Sequence, residues 1–202
     1  MAKPLPPHII ELTYANYPSI RPYITTGSLF FTKRRGPIHH AISYFSPVSH
    51  IGALWWTAHQ DILLTYESTM KGDLQGVGCQ NFSTLVSNPK IKTYILLLQP
   101  LNMEKEQEFI SHIELRRGTP YEKNLLKLPF LWSDKIKFFG KTESLFCSEL
   151  IADLFFSVYF SVVRTLSHPG LFLEKTHPKD WFYLNNEKTS WLKQLIYHPP
   201  IS

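Results

Sequence analysis

The spacing of apolar residues along the chain changes from a period of two to helical steps. From Ser49 to Trp56 it alternates: His50, Gly52, Leu54 and Trp56 share one face of an extended segment, and Ile51, Ala53 and Trp55 share the other. Residues 61–67, Asp-Ile-Leu-Leu-Thr-Tyr-Glu, read as its antiparallel partner. Gly27 to Phe31 reads as a turn leading into a strand, and Thr93 to Gln99 as an apolar strand closed by Pro100. Residues 71–81 hold Gly72, Gly76, Gly78 and Asn81 and read as a loop or distorted hairpin. Helical steps follow. Glu104 to Arg117 places Phe109, Ile110 and Ile113 inward and stops at Gly118. Leu150, Ile151, Leu154, Phe155, Val158, Tyr159 and Val162 recur at steps of one, three and four, a wide apolar stripe that predicts a helix from about Cys147 to Arg164. Short helices are expected over residues 38–46 and near Ser190 to Ile196.

The ends differ from the body. Residues 1–24 are rich in proline and show no clear periodicity, which suits a lead-in draped over the domain, and proline recurs in the tail from Ser167 onward. Residues 119–143 are mixed, with Pro120 and Pro129 as breakers. No internal repeat or linker marks a second domain. The expected organisation is a lead-in over 1–24, one domain over 25–182, and a tail over 183–202 packing on that domain. Several antiparallel strands, a helix and a long late helix make an α+β fold, with a small antiparallel sheet or half-barrel packed against helices.

Composition narrows the function classes. A chain of 202 residues supports one domain with a sizeable core. The net charge of +5 is spread along the chain apart from Lys33-Arg34-Arg35, so no specific nucleic-acid partner is expected; weak contact with an anionic membrane surface is compatible with it. Two cysteines, Cys79 and Cys147, leave room for one disulfide at most, and a domain of this size does not need one, so a reducing compartment is the simpler reading. The N-terminus lacks an apolar signal region, and Ile151 to Val163 is too short to span a bilayer and is broken by Asp153. The expected location is cytoplasmic, or the virion or host cytoplasm for a viral chain.

Three residues are candidates for chemistry. Cys147 sits where the long helix begins, where unpaired amides and the helix dipole stabilise a thiolate and can cradle an oxyanion. Taken alone, a cysteine projecting toward the Leu150, Ile151 and Leu154 stripe more often fills core. His50 lies on a strand that otherwise reads as core and is suited to act as base to a thiol; a structural histidine bonded to a backbone carbonyl is the plainer alternative. Gly52 leaves space on the same face, for a substrate or another backbone. Glu67 ends the neighbouring strand and can orient the His50 ring if register permits, or else is a solvated strand-end carboxylate. Tyr121, after Gly118-Thr119-Pro120, either borders a site or packs. Cys79 reads as an incidental thiol. His39, His40, His59 and His112 show no metal-ligand spacing, and phosphate-loop and zinc signatures are absent, so neither metal nor organic cofactor is expected.

Taken in order, these segments resemble the permuted NlpC/P60 hydrolases, the YiiX-like group of the papain-like superfamily. Leu145-Phe146-Cys147-Ser148-Glu149-Leu150-Ile151 is similar to that family's Cys-Ser-Glu element. Ser49-His50-Ile51-Gly52 is similar to its Ser-His strand, and Thr65-Tyr66-Glu67-Ser68 to the next strand, which ends in a glutamate. Gly118-Thr119-Pro120-Tyr121-Glu122, Gly27-Ser28-Leu29-Phe30 and Pro178-Lys179-Asp180-Trp181 match further short elements, so the likeness covers about residues 25–182. Ser28 departs from the usual acidic residue after the glycine, and residues 123–144 do not align.

The resemblance implies a circularly permuted papain-like fold, with His and Glu on early strands and Cys on a late helix whose inner side carries the nucleophile. It implies a cysteine hydrolase of amidase or peptidase type, working through a thioester with Cys147, His50 and Glu67 as catalytic residues and Ser49, Gly52 and Tyr121 near the substrate. The substrate expected is a small peptide, an amide or a lipid acyl group. Two rivals stay open: a lipid acyl hydrolase or acyltransferase using the same site, and a non-catalytic binding protein that keeps the fold.

Overall fold

The structure is a computed structural model that describes residues 5–33, 47–57, 61–69, 75–121, 147–159, 178–184, 189 and 191–199. Six strands form one antiparallel sheet: β1 (Ile10–Leu12), β2 (Leu29–Lys33), β3 (His50–Trp56), β4 (Leu63–Thr69), β5 (Gly76–Asn81) and β6 (Lys92–Leu96), in the spatial order β1-β6-β2-β3-β4-β5. The described helices are α1 (Tyr17–Ile20), α2 (Phe82–Val86), α3 (Met103–Arg116), α4 (Cys147–Val158) and α5 (Pro178–Tyr183), with 3-10 turns at Arg21–Tyr23 and Trp191–Leu195. Among the described residues no helix is long and apolar enough to cross a membrane.

Both faces of the sheet are buried, which is why its central strands carry apolar residues at successive positions. On one face Leu29, Phe31, Ile51, Ala53 and Tyr66 pack with Phe109 of α3, Leu150, Ile151 and Leu154 of α4, and Trp181 of α5. On the other, Phe30, Leu54, Leu63 and Ile95 pack with Phe82 of α2 and with Leu12, Ile20 and Ile24. The alternation expected along β3 is therefore observed, with Ile51 and Ala53 in the first core and Leu54 and Trp56 against the second.

α3 starts at Asn102, whose side chain accepts from the Lys105 amide at 2.9 Å. It leaves through Gly118 at φ 81°. Its buried residues are Phe109, His112 and Ile113. Ile110, expected inward, is only half-buried, and His112 takes the inner position three residues on from Phe109. The predicted short helix over 38–46 and residues 160–164 of the late helix lie outside the described residues. The helix expected near Ser190 to Ile196 is a 3-10 turn.

Two segments differ from expectation. Residues 10–12 of the lead-in are an edge strand paired with β6, with Glu11 opposite Tyr94; three residues are too few for periodicity to register. Residues 76–81 form β5, paired with β4 along its whole length from Leu64↔Asn81 to Thr69↔Gly76. Glycine content disguised this strand as a loop. Its outer side is covered by the chain leaving α3, where the Val77 amide donates to Thr119 O at 2.8 Å and the Gly118 amide to Val77 O at 2.9 Å.

Gly52 marks the tightest packing on β3. A Cβ there would overlap the Phe30 ring and stand 2.9 Å from the Tyr66 carbonyl oxygen. Of the two occupants expected beside Gly52, a substrate or another backbone, it is backbone that lies there, the Tyr66 carbonyl oxygen, together with the Phe30 ring. Gly52→Ala should cost about 3 kcal/mol, a fall in Tm of roughly 6–12 °C. A thermal scan placing the variant within about 2 °C of the parent would refute this account of the glycine.

Candidate active site

The alternation of β4 puts Thr65 and Glu67 on one face, and β5 brings Gln80 beside them as the cross-strand partner of Thr65. Glu67 is completely buried. A carboxylate so placed needs a donor for each oxygen. Its Oε1 accepts from Gln80 Nε2 and, at 3.0 Å, from Thr65 Oγ1. Its Oε2 lies 2.5 Å from His50 Nε2. The β3–β4 ladder runs from Ala53↔Tyr66 to Trp56↔Leu63. The next step of that register would set Gly52 opposite Glu67, so His50 reaches the carboxylate diagonally, past a residue with no side chain in the way.

The same place accounts for the thiol. Alternation along β3 turns the Ile51 N–H toward β4, but the ladder begins only at Ala53. The start of α4 fills this opening, packing on β3 and β4. Cys147 is the first described residue of α4 and is buried. Burial alone pushes its thiol up. The charge of His50, a hydrogen bond from His50 and the backbone N–H groups of Ile51 and Ser148 outweigh it, and the thiol is held below its ordinary value. With Nε2 on Glu67, the ring nitrogen left to face the sulfur is Nδ1. Cys147, His50 and Glu67 therefore form a continuous line through the gap between β3 and β4.

Cys79 behaves in the opposite way: burial, against the pull of Arg117 and with the push of Glu67, raises it to about 11. Both cysteines are free thiols. Ser49, expected near the substrate, donates from Oγ to Thr32 O at 3.3 Å and is buried, which makes it part of the turn into β3. Tyr121 is half-buried at the end of the segment along β5. Glu122 and residues 123–144 are outside the described part. Sequence reasoning missed Gln80 and Thr65. The same-face spacing of Thr65 and Glu67 was a usable signal; Gln80 was hidden in a strand read as loop.

A cavity of about 430 Å³ opens at the other end of β3, lined by Arg21, Ile24, Thr25, Thr26, Trp56 and Leu101 among others. It lies six residues from His50, roughly 20 Å along the strand. Two of its polar groups are engaged with protein: the Arg21 guanidinium stacks 4.6 Å over Trp56 and donates to Asp61 O, and Trp56 Nε1 donates to Ile24 O at 2.7 Å.

No family model matches this chain, and no curated protein matches it. Among solved structures, it is similar to one described as metalloprotein yiiX from Escherichia coli O157:H7, DUF1105. The TM-score is 0.51 at 16% identity, covering 81% of this chain and 93% of that one. Among the described residues no three His, Cys, Asp or Glu side chains are grouped to hold a metal ion. The Glu67 oxygens are engaged by His50, Gln80 and Thr65, so this donor set does not fit a metal. What the comparison establishes is the fold: an antiparallel sheet packed against helices, with YiiX-like architecture.

Proposed function

We propose that the chain is a cysteine hydrolase of amidase or peptidase type, a permuted relative of the papain-like NlpC/P60 enzymes. The observation that carries this reading is the buried line from the Cys147 thiol through His50 to Glu67. The order of its members along the chain supports the permuted arrangement, since base and carboxylate come from early strands and the thiol from a late helix.

In this reading the resting site is a thiolate beside an imidazolium. The sulfur attacks a substrate carbonyl carbon, and the developing oxyanion falls against the first backbone amides of α4. His50 gives its proton to the leaving amine, forming a thioester on Cys147. It then takes a proton from water, which attacks the thioester and releases the acid. Glu67 stabilises the imidazolium and fixes the ring, and Gln80 and Thr65 hold Glu67 in place.

The thiol is held low by His50, so alkylation of Cys147 by iodoacetamide should rise with pH through a midpoint below the ordinary thiol value of about 8.5. In His50→Ala only burial and the two amides remain, and the midpoint should move up by at least about one unit. With p-nitrophenyl acetate, intact mass spectrometry should find an acetyl group on Cys147 in the first turnover, and none in Cys147→Ala. A Cys147 that reacts only after denaturation would leave a binding protein as the better reading.

Glu67→Gln keeps the size of the side chain but removes the charge and sets an amide against the amide of Gln80. Turnover of the same ester should fall on the order of 10²-fold or more, with a raised alkylation midpoint. Equal turnover and an unshifted midpoint would remove Glu67 from the site.

A further inference from the structure

A second buried polar group lies in the opposite core. Tyr66 alternates with Glu67 on β4, so its ring enters the side occupied by α3 and α4. Its hydroxyl lies 3.1 Å from His112 Nδ1. His112 Nε2 lies 3.0 Å from Asp153 Oδ2 on α4. Arg116, one turn further along α3, donates from Nε to the same oxygen at 2.7 Å. Both nitrogens of a buried imidazole are engaged, and one carboxylate oxygen receives two donors. The cluster joins three elements: β4, which carries Glu67; α4, which carries Cys147; and α3, which packs on α4.

Stability is a weak reason for such a cluster. Tyr66 and His112 are buried while Asp153 and Arg116 are partly exposed; a partly exposed ion pair adds little stability, whereas a buried, fully hydrogen-bonded imidazole discriminates between one geometry and its neighbours. The geometry at stake is the rotation of α4. Leu150, Ile151 and Leu154 press it against the sheet, and apolar ridges tolerate small rotation. Asp153 is six residues from Cys147, about 9 Å up the axis, and it faces α3 rather than the sheet. A polar lock on the flank removes the rotational freedom that the apolar face leaves. The sulfur stands roughly 5 Å from the helix axis, so a turn of about 10° moves it by nearly 1 Å, a displacement that can cost two orders of magnitude in an aligned reaction.

We infer that His112 is a positioning residue for Cys147: with Asp153 and Arg116 it fixes the rotation of α4, and through Tyr66 it refers that rotation to the strand that holds Glu67. This rests on the hydrolase reading above, since it assigns the cluster to the aim of the nucleophile.

The test measures three single variants, His112→Leu, Asp153→Asn and Tyr66→Phe, for thermal stability and for the pH profile of iodoacetamide alkylation, with peptide mapping to separate Cys147 from Cys79. Folded variants should show the Cys147 midpoint raised by about one unit and its rate at pH 7 reduced about tenfold, with the smallest change in Tyr66→Phe, which loses only a hydroxyl. Should His112→Leu fail to fold, the other two decide. Folded variants with the parent's midpoint and rate, whatever their Tm, would overturn the inference and leave a packing cluster. A parent protein whose Cys147 titrates like an ordinary thiol would overturn the hydrolase reading and this inference with it.

Discussion

Glu67 carries a charge into a place that water does not reach, and the strands around it are arranged to answer that charge. β4 supplies Thr65 from the same face, β5 supplies Gln80 from across the ladder, and β3 supplies His50 on the diagonal. None of these donors is sufficient alone, because a buried carboxylate left with an open oxygen would take up a proton instead. Gly52 of β3 belongs to the same requirement, because it lets the Phe30 ring and the β4 backbone approach closely and leaves His50 a diagonal path to the carboxylate. The imidazole, held on its Nε2 side, has only its other nitrogen to offer the thiol.

The sulfur is reached because the sheet is incomplete where it matters. β3 and β4 start their ladder at Ala53↔Tyr66, and the amide of Ile51 bonds Cys147 instead of a neighbouring strand. The thiol is therefore tuned by two kinds of backbone at once, the unladdered end of a strand and the start of a helix. Each opposes the effect of burial, which by itself would raise the group as it raises Cys79.

Much of this was legible in the sequence, and what was missed has physical causes. The alternation from His50 to Trp56 and the stripe from Leu150 to Tyr159 were strong enough to give a strand and a helix, because each is long and buried along a face. Cys147, His50 and Glu67 were found as residue types in suggestive places. Their meeting depended on register, and a pattern of period two says which face a residue is on but not which residue it opposes. β5 failed as a strand because glycine there serves close approach rather than a turn. β1 failed because it is three residues long. His112 was passed over for Ile110 because hydrophobicity ranks isoleucine as the inner residue, and the Asp153 and Tyr66 partners that make a buried histidine acceptable are far away in sequence.

β3 has strands on both sides and a core on each face. Such a strand opens only when the domain does, so its amides from Ala53 to Trp56 belong with the slowest to exchange with solvent. His50 stands on the same strand, three residues before that protected stretch and beyond the end of its ladder with β4. Local opening is left to the elements around β3, while the stretch from Ala53 to Trp56 stays still and anchors the end of the strand that carries His50.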